Sequence, residues 1–352
     1  MNEMSVTQEP RLTSLAHGGG CGCKIAAGVL ADILRGGSPL PVPPELLVGI
    51  ETSDDAAVYL INDRQALVAT TDFFMPVVDD PGDFGRIAAT NAISDVYAMG
   101  GTPIFALALV GMPVSRISTA TIARILDGGA AVCRAAAIPI AGGHTIDSVE
   151  PIYGLVVVGL VDPAHLKRNS DARPGDVLVL GKPLGVGVFS AALKKEKLPP
   201  DAYARMIDAT TRLNTPGPSL ARLSGVHAMT DVTGFGLAGH ALEMARGSDV
   251  RIGIDWNAVP LLSGARDLAA AGFVTGASGR NWASYGHDVQ LAGALDEADR
   301  ALLCDPQTSG GLLVACAPEA AGEVLAIFRE QGFAEAVTIG RVEAGAWGLV
   351  VA

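Results

Sequence analysis

The sequence predicts two domains that each combine helices with strands. At 352 residues, the chain is about twice as long as a typical single domain. Apolar runs with the composition of buried strands alternate along it with segments that have helical spacing. A polar stretch over residues 162–176, which contains Pro163 and Pro174, divides these elements into two series. This stretch is the predicted domain boundary.

Composition excludes several classes of function. The net charge is -12, and such an acidic chain lacks the clustered Lys and Arg that sequence-independent nucleic-acid binding requires. The longest uncharged run, residues 96–115, is interrupted by Gly100, Gly101, Pro103 and Pro113, so it does not predict a membrane span. Residues 1–11 have no apolar signal core. Five scattered cysteines do not form a disulfide framework, and a reducing cytoplasm is the expected location.

The first half of the chain carries most of the predicted strands. Five apolar runs are predicted strands: 46–50, 56–60, 66–70, 103–113 and 153–161. The third of these strands is predicted to end at Asp72. Three segments are predicted helices: 23–34, 83–99 with Asp83 as N-cap, and 118–137 with Ser118 as N-cap. Residues 138–141 lead into Gly142–Thr145, which is predicted to be a tight turn.

The second half follows the same alternation. Strands are predicted at 177–180 and 312–315. Helices are predicted at 186–197, 201–213, 237–246 and 318–331. Glycine-broken loops are predicted at 230–236 and 305–311.

The segment His17–Lys24 (HGGGCGCK) is predicted to be a mobile, reactive loop. Its glycines have conformational freedom to lose on ordering, so we expect the loop to be displaced without ligand. Lys24 and the flanking amides are expected to lower the pKa of Cys21 and favour the nucleophilic thiolate. Cys21 and Cys23 with His17 are an alternative zinc site, although structural zinc usually takes four ligands. The other cysteines, Cys133, Cys304 and Cys316, are expected to be small buried hydrophobic residues.

Carboxylates stand at the ends of several predicted elements, where side chains can converge on one cleft: Asp54, Asp55, Asp72, Asp95 and Asp231. Spread aspartates without a His/Cys cage suit Mg²⁺ bound together with nucleotide phosphates. The chain has no Walker A motif. The Gly142-Gly143-His144 segment is a weak candidate for a phosphate or adenine contact. A Rossmann cofactor is not favoured, because the third glycine after Gly185-Val186-Gly187 is replaced by Ser190.

These segments, taken together, resemble the selenophosphate synthetase (selenide, water dikinase) family. The resemblance covers nearly the whole chain and rests on seven runs: HGGGCGCK (17–24), ETSDDAAVY (51–59), TTDFFMP (70–76), FGRIAATNAISDVYAM (84–99), AGGHTID (141–147), TDVTGFGLAGH (230–240) and CDPQTSGGLL (304–313). Several runs are also similar to aminoimidazole ribonucleotide synthetase, thiamine monophosphate kinase and a hydrogenase maturation protein. The GCGCK loop selects the selenium enzyme.

The resemblance implies an α+β fold of the two-domain α/β sandwich type. It implies a homodimer whose N-terminal sheets pair into a shared barrel, with a C-terminal α+β domain packed outside. The expected units are a mobile Gly-rich catalytic segment (1–24), an N-terminal ATP- and metal-binding and dimerisation domain (25–165), and a C-terminal domain (175–352).

The resemblance also implies the reaction and the residues that perform it. Family members convert ATP, hydrogen selenide and water to selenophosphate, orthophosphate and AMP, using Mg²⁺ and often K⁺. Cys21 and Lys24 are the implied catalytic residues. Asp55, Asp95 and Asp231 are the implied metal ligands. The implied nucleotide contacts are Lys24, Thr52, Ser53, Asp54, Asp72, Asp95, Gly143, His144 and Thr145.

Two alternatives stay open at the level of sequence. Another ATP-dependent kinase or ligase of the same superfamily would release ADP and would have no use for a thiol at position 21. A non-catalytic selenium or metal carrier would use Cys21 and Cys23 only for binding. The route of selenium delivery, including a possible delivery protein, is not encoded in any motif of the chain.

Overall fold

The computed structural model describes residues 9–25, 29, 33, 42–50 and 54–352, and these residues form two sheets with helices packed on them. The strands are β1 (Leu46–Val48), β2 (Ala57–Asn62), β3 (Gln65–Phe74), β4 (Thr102–Met112), β5 (Ile140–Asp147), β6 (Ile152–Val161), β7 (Val177–Leu180), β8 (Val226–Asp231), β9 (Arg251–Ile254), β10 (Val289–Leu291), β11 (Leu312–Cys316), β12 (Val337–Glu343) and β13 (Gly348–Val351). The helices are α1 (Pro81–Ala98), α2 (Thr119–Ala135), α3 (Val186–Lys194), α4 (Pro200–Thr211), α5 (Gly217–Ala221), α6 (Gly236–Ser248), α7 (Ala265–Ala270), α8 (Gly276–Tyr285), α9 (Glu297–Leu303) and α10 (Ala321–Glu330).

The N-terminal sheet has the strand order β1-β2-β3-β6-β4-β5. Its centre is the antiparallel pair β3 and β6, which stays in register from Ala66 opposite Val161 to Phe74 opposite Tyr153. Helix α1 begins where Asp80 accepts a hydrogen bond from the backbone N–H of Asp83. The helix packs on β6 and β3, with Phe84 and Ile87 fully buried. Helix α1 thereby spans the inner face of the sheet.

The outer face of this sheet is apolar and only partly covered by the described residues. Because successive strand residues point to opposite faces, the odd-numbered residues of β3 lie on the outer face. Phe73 is 52% exposed there, and Tyr59, Ile104 and Ile146 are also exposed on neighbouring strands. Exposed aromatic and aliphatic side chains on several adjacent strands are unusual for a surface that faces only water.

The C-terminal sheet is mixed, with the strand order β10-β13-β9-β12-β7-β11-β8. Strand β11 is buried throughout and pairs antiparallel with β7 and β8. In this register, Leu312 lies opposite Asp231, the last residue of β8. The edge strand β8 therefore carries Asp231 to the boundary with helix α1, whose Ser94 donates a hydrogen bond to its carboxylate.

Most predicted elements are confirmed, with three corrections. The N-cap of α1 is Asp80 rather than Asp83. Strand β3 continues through Asp72 to Phe74, because it pairs with β6 along its whole length. Gly142–Thr145 is not a turn but part of β5, paired in parallel with β4. A Cβ on Gly143 would lie 2.0 Å from the carbonyl oxygen of Ala108, so the glycine permits this close strand pairing.

The sequence patterns missed several C-terminal elements. Strands β8, β9, β10, β12 and β13 and helices α5, α7, α8 and α9 were not predicted, and the loop predicted at 230–236 begins inside β8. The missed strands are three to seven residues long, and strands of this length give little periodicity to distinguish them from loops. The predicted helix at 23–34 falls largely outside the described residues. None of the described helices has the length and apolar character needed to cross a membrane.

Candidate active site

The glycine-rich loop packs between the two sheets. Residues Gly20–Cys23 form a single 3₁₀ turn. The backbone N–H of Gly20 bonds to Met75 O at 2.9 Å, and the N–H of Cys21 donates to Thr308 Oγ1 at 3.2 Å. Gly20 has φ +55°, and a Cβ there would lie 2.1 Å from the same Thr308 oxygen. Only glycine fits this position without a shift of Thr308.

The Cys21 thiol is buried against helix α1. Its Sγ donates to Asn91 Oδ1 at 3.2 Å, and the side chain of Cys21 is 1% exposed. Asn91 Oδ1 also accepts a 2.7 Å hydrogen bond from the backbone N–H of Ser309. The amide nitrogen of Asn91 donates to Asp72. One asparagine therefore links the loop, strand β3 and the C-terminal segment that precedes β11.

Lys24 turns its amine toward the same carboxylate. Its Nζ lies 3.7 Å from Asp72 Oδ2, and its side chain is 41% exposed. The negative charge of Asp72 raises the pKa of Lys24 above its ordinary value. Lys24 is therefore a cation at neutral pH. It lies beside Cys21, Asp72 and Phe73 in the lining of a cavity of about 380 Å³.

The electrostatic state of Cys21 differs from the sequence-based expectation. Burial raises the pKa of the thiol well above its ordinary value, and the charge of Asp72 adds to this effect. Lys24 opposes both but does not outweigh them. The prediction of a lowered pKa is wrong for this arrangement, because a low-dielectric site disfavours the thiolate. With the loop in this packed position, the Cys21 thiol is protonated.

Three aspartates from three elements meet beside the loop. Asp95 comes from the last turn of α1, Asp231 from the end of β8, and Asp55 from the residues before β2. Burial raises the pKa of Asp55, and the nearby charges of Asp231 and Asp95 raise it further. The pKa of Asp95 is raised by burial and then by Asp231 and Asp72. Burial also raises the pKa of Asp231. The carboxylates are thus close enough to repel one another.

Each of these carboxylates has a partner that orients it. Thr230 Oγ1 donates to Asp55 Oδ1 at 2.7 Å, and Thr70 donates to Asp95. Ser94, which donates to Asp231, itself accepts from Asn214 Nδ2 at 2.7 Å. The second oxygen of Asp55 is buried and has no hydrogen-bond partner in the described part of the chain.

The donor set fits a magnesium ion. Mg²⁺ takes hard oxygen ligands and commonly uses one or two carboxylates together with phosphate oxygens and waters. Mutually repelling carboxylates and an unpaired buried oxygen on Asp55 are the features that a cation would satisfy. Across residues 9–25, 29, 33, 42–50 and 54–352, no group of three His, Cys, Asp or Glu side chains is placed to hold a metal ion, so these aspartates would need ligands from outside the protein. A shared protein–phosphate site is the arrangement that these residues suit.

Five further predicted site residues are not joined to this cluster by a described hydrogen bond, while Asp54 lies next to Asp55 and its charge helps to raise the pKa of Asp55. Thr52 and Ser53 fall outside the described residues. Asp54 Oδ1 accepts a 2.7 Å hydrogen bond from the backbone N–H of Asn169, in the segment that joins the two sheets. Gly143, His144 and Thr145 are exposed on edge strand β5. No hydrogen bond or ion pair within the described chain joins them to the aspartates.

Sequence reasoning assigned no role to Asn91, Thr308 or Ser309, which hold the loop in place. Asn91 lies four residues before Asp95, so both face the same side of α1, and this spacing was a usable signal. Thr308 and Ser309 belong to a run that already matched the family pattern. Their contacts with Cys21 and Asn91 span more than two hundred residues of sequence. No local pattern predicts such pairings.

Comparisons with known proteins agree with this architecture. Models of the AIR synthase related protein match the chain in two parts, the N-terminal domain at residues 53–161 and the C-terminal domain at residues 173–350. A selenide, water dikinase of Pseudomonas straminea is 63% identical over 98% of this chain and 97% of its own length. One from Burkholderia pseudomallei (strain K96243) is 66% identical over 96% and 95%. The chain belongs to the selenide, water dikinase family.

The solved structures with the same fold share much less sequence identity with this member of the selenide, water dikinase family. A thiamine-monophosphate kinase from Stenotrophomonas maltophilia K279a superimposes with a TM-score of 0.63 at 20% identity, covering 94% of this chain and 96% of that one. The hydrogenase maturation protein HypE superimposes with a TM-score of 0.63 at 21% identity, covering 88% and 91%. At such identities, the likeness establishes the two-domain α+β fold alone.

Proposed function

We propose that this chain catalyses the ATP-dependent synthesis of selenophosphate from hydrogen selenide and water, with release of AMP and orthophosphate. The observation that carries the proposal is the meeting of Cys21 and Lys24 with Asp72 at one cavity, beside the aspartate cluster. The loop contributes a thiol and an amine but no phosphate cradle. The aspartates can hold a metal–nucleotide complex but include no nucleophile. Each part needs the other for this reaction.

In this proposal, Asp55, Asp95 and Asp231 hold Mg²⁺. The ion supplies charge neutralisation for the phosphates of ATP, which is where catalysis of phosphoryl transfer mostly lies. Thr230, Thr70 and Ser94 keep the three carboxylates oriented through the hydrogen bonds described above. These bonds fix the ligand atoms before the nucleotide arrives, so less ordering is required on binding.

Cys21 and Lys24 act on the reacting groups. The Lys24 ammonium binds phosphate oxygens, and its contact with Asp72 aims it into the cavity. The Cys21 sulfur holds the selenium donor, and Asn91 and Thr308 fix its position. Asn91 Oδ1 accepts a hydrogen bond from the Cys21 thiol, so the buried sulfur keeps its proton and stays neutral until the charge balance of the site changes. The buried loop also excludes bulk water from the transferring phosphoryl group.

The remaining nucleotide contacts are proposed on the family pattern. Thr52 and Ser53 are proposed from the sequence pattern alone, whereas Asp54 lies next to Asp55 in the chain and Asp72 lies on β3. Gly143, His144 and Thr145 lie on β5, at the edge of the same sheet. A monovalent cation such as K⁺, a selenium-delivery protein and a cytoplasmic location belong to the same proposal. So does the division into a mobile catalytic segment (1–24) and domains at 25–165 and 175–352.

A homodimer is part of the proposed function. The outer face of the N-terminal sheet exposes Tyr59, Phe73, Ile104 and Ile146. Burying this apolar face against a second copy would remove it from water at a gain of roughly 25 cal/mol per Å². A second sheet packed on the first would form the barrel that the family resemblance implies. It would also bring strand β5 of one subunit next to the partner subunit.

Product analysis tests the reaction. The chain is incubated anaerobically with ATP, Mg²⁺ and selenide, and phosphorus NMR is expected to show selenophosphate with AMP and orthophosphate. ADP as the only end product would identify another kinase of the superfamily, and absence of ATP consumption would identify a carrier. Cys21→Ser and Lys24→Ala are expected to abolish selenophosphate formation, whereas the matched loop variant Cys23→Ser is expected to retain it. Retained activity in the first two variants contradicts the proposed roles.

A further inference from the structure

A second cavity lies on the other side of the glycine-rich loop. It has a volume of about 760 Å³ and is bounded by the loop, by helix α3 and by the start of helix α8. Cys23, Lys24 and Ile25 line both this cavity and the smaller one beside Asp72. The loop is therefore a partition with one cavity on each side.

Basic side chains predominate in the lining of the second cavity. The described lining contains Lys24, Lys194, Lys195 and Arg280 and no Asp or Glu. His17, which also belongs to the lining, pairs with Glu150, which does not. The chain as a whole has 37 acidic residues against 25 Lys and Arg. A lining drawn at random from such a chain would carry more acidic than basic side chains. The concentration of positive charge is a local property of this cavity.

Neutral partners hold the cations at the cavity wall. Lys194 Nζ donates to the carbonyl oxygen of Ala16 at 3.1 Å, and Arg280 Nη2 donates to the carbonyl of Gly22 at 2.9 Å. Lys195 Nζ lies 5.3 Å from the centroid of the Phe273 ring. Carbonyls and an aromatic ring orient these side chains but do not cancel their charge. Asp72 beside Lys24 and Glu150 beside His17 offset part of the positive charge. Lys194, Lys195 and Arg280 still leave the cavity with a net positive potential.

The thiol of Cys23 senses the same field. Burial raises its pKa to about 11, and the negative charge of Glu150 adds to this effect. A backbone hydrogen bond to Met75 and the charges of Arg280 and Lys194 act in the opposite direction. Both cations are thus close enough to influence an atom at the cavity wall.

Helix α8 adds donors to the cavity. Its N-cap Thr275 and first residues, Gly276 and Ala277, belong to the lining. The N–H groups of the first helical turn have no acceptor within the helix, and the positive end of the helix dipole favours an anion. Thr275 Oγ1 accepts from Ser278 N at 3.1 Å, which leaves the N–H groups of Gly276 and Ala277 nearest to the cavity. An arginine, two lysines and a helix N-terminus form a donor set suited to a tetrahedral oxyanion.

We infer that this cavity binds an oxyanion of the phosphate class. The identity of the anion rests on the proposed function, in which orthophosphate and selenophosphate are both released at the loop. Lys24 lines both cavities, so its ammonium is available to a phosphate-class product on either side of the loop. The second cavity is then the place where a phosphate-class product resides before release.

Calorimetric titration of the full chain with inorganic phosphate in EDTA tests the inference, because without Mg²⁺ the aspartates repel phosphate. Wild type is expected to bind saturably at millimolar phosphate. Lys195→Gln and Arg280→Gln are each expected to weaken binding about tenfold, as loss of one charge-assisted hydrogen bond implies. Arg280→Lys, which keeps the charge, is expected to weaken it less. Lys197→Gln removes an exposed positive charge two residues beyond Lys195 but outside the lining, and is expected to bind as wild type does.

Equal affinity in wild type, Lys195→Gln and Arg280→Gln overturns the inference, and so does the absence of saturable binding. Thermal melts of each variant identify any loss of affinity that comes from unfolding. A parallel titration uses thiophosphate, a stable stand-in for selenophosphate. The anion with the higher affinity identifies which of the two products the cavity favours. Selenophosphate synthesis is measured separately on the same purified proteins, with Mg²⁺ in place of EDTA. Synthesis without phosphate binding would contradict only the proposed anion site. Phosphate binding without synthesis would contradict only the proposed reaction.

Discussion

The carboxamide oxygen of Asn91 lies 3.2 Å from the sulfur of Cys21 and 2.7 Å from the backbone nitrogen of Ser309. The side chain of Asn91 is fully buried, and its amide nitrogen bonds to Asp72. A single side chain thus connects the thiol loop, the nucleotide-side carboxylate and the C-terminal domain. The position of Cys21 depends on this connection, because buried polar groups without partners are costly.

Removal of the Asn91 side chain is expected to uncouple the thiol from the aspartates. In Asn91→Ala, the Ser309 N–H and Asp72 each lose a buried partner at about 1–3 kcal/mol per group. A 10- to 100-fold loss of selenophosphate formation is expected from a cost of that size. Phosphorus NMR rates and ATP binding are measured together. The control variant is Asn281→Ala, which removes another buried asparagine, one that bonds to Gly234 O and Cys304 O. Wild-type rates in Asn91→Ala would contradict the coupling.

The two loop cysteines are expected to differ in reactivity. Cys21 is 1% exposed and its pKa is raised well above the ordinary value, whereas Cys23 is only partly buried and borders two cavities. Alkylation by iodoacetamide at pH 8 without nucleotide should therefore modify Cys23 faster than Cys21, as read by peptide mass spectrometry. Faster modification of Cys21 would mean that the loop leaves the packed position in solution, as the glycine content of the segment predicts.

Lys182 is expected to make stability depend on pH. Its amine is buried and donates to the carbonyls of Arg212 and Ser309, and burial lowers its pKa from 10.5 to about 7. Between these values the unfolded chain binds more protons than the folded one, so this group's contribution to stability rises with pH. Relative to Lys182→Met, the wild type should gain about 2 kcal/mol between pH 7 and pH 9. Urea unfolding measures this difference.

The exposed residue Lys197 is the control for this titration. Lys197→Met should track the wild type at every pH, because an exposed amine has the same surroundings in both states. A constant difference between wild type and Lys182→Met across the range would mean that Lys182 is charged in the folded protein at every pH tested.

The aspartate cluster is expected to trade stability for metal binding. In Asp95→Asn, a neutral amide replaces one of the repelling carboxylates and still accepts the Thr70 hydrogen bond. The melting temperature in EDTA should rise, in line with about 1 kcal/mol of relieved repulsion. Mg²⁺ should raise the melting temperature of wild type through preferential binding to the folded state but leave Asp95→Asn unchanged. An equal Mg²⁺ response in both proteins would exclude Asp95 as a ligand.

The outer face of the N-terminal sheet is expected to control assembly. Phe73→Asp places a charge at a position that is 52% exposed in the single chain, so it should cost the folded monomer little. In a dimer packed through this face, it would bury an unpaired carboxylate. Light scattering should show a dimer for wild type and a monomer for Phe73→Asp. Val149→Asp, at an 84% exposed position on the β5–β6 loop, is the control.

Local pattern was sufficient for most of the described N-terminal half of the fold. Capped helices such as the one that begins after Ser118, and long apolar strands such as β4 and β6, were predicted because caps and periodicity are local signals. The turn predicted at Gly142–Thr145 was wrong because its glycines serve close strand pairing rather than chain reversal. Short C-terminal strands were missed because their only support is pairing with distant segments.

The sequence by itself determined the family, the two-domain α+β character and the residue types of the candidate site, because motif and composition are properties of the chain. Only the tertiary structure decided which of these residues meet. It brought Cys21 to Asn91 across seventy residues and to Thr308 across 287. It also raised the pKa of the thiol that the sequence predicted to be a thiolate. Burial and the charge of Asp72 are the reasons, and both depend on packing between segments that no local pattern connects.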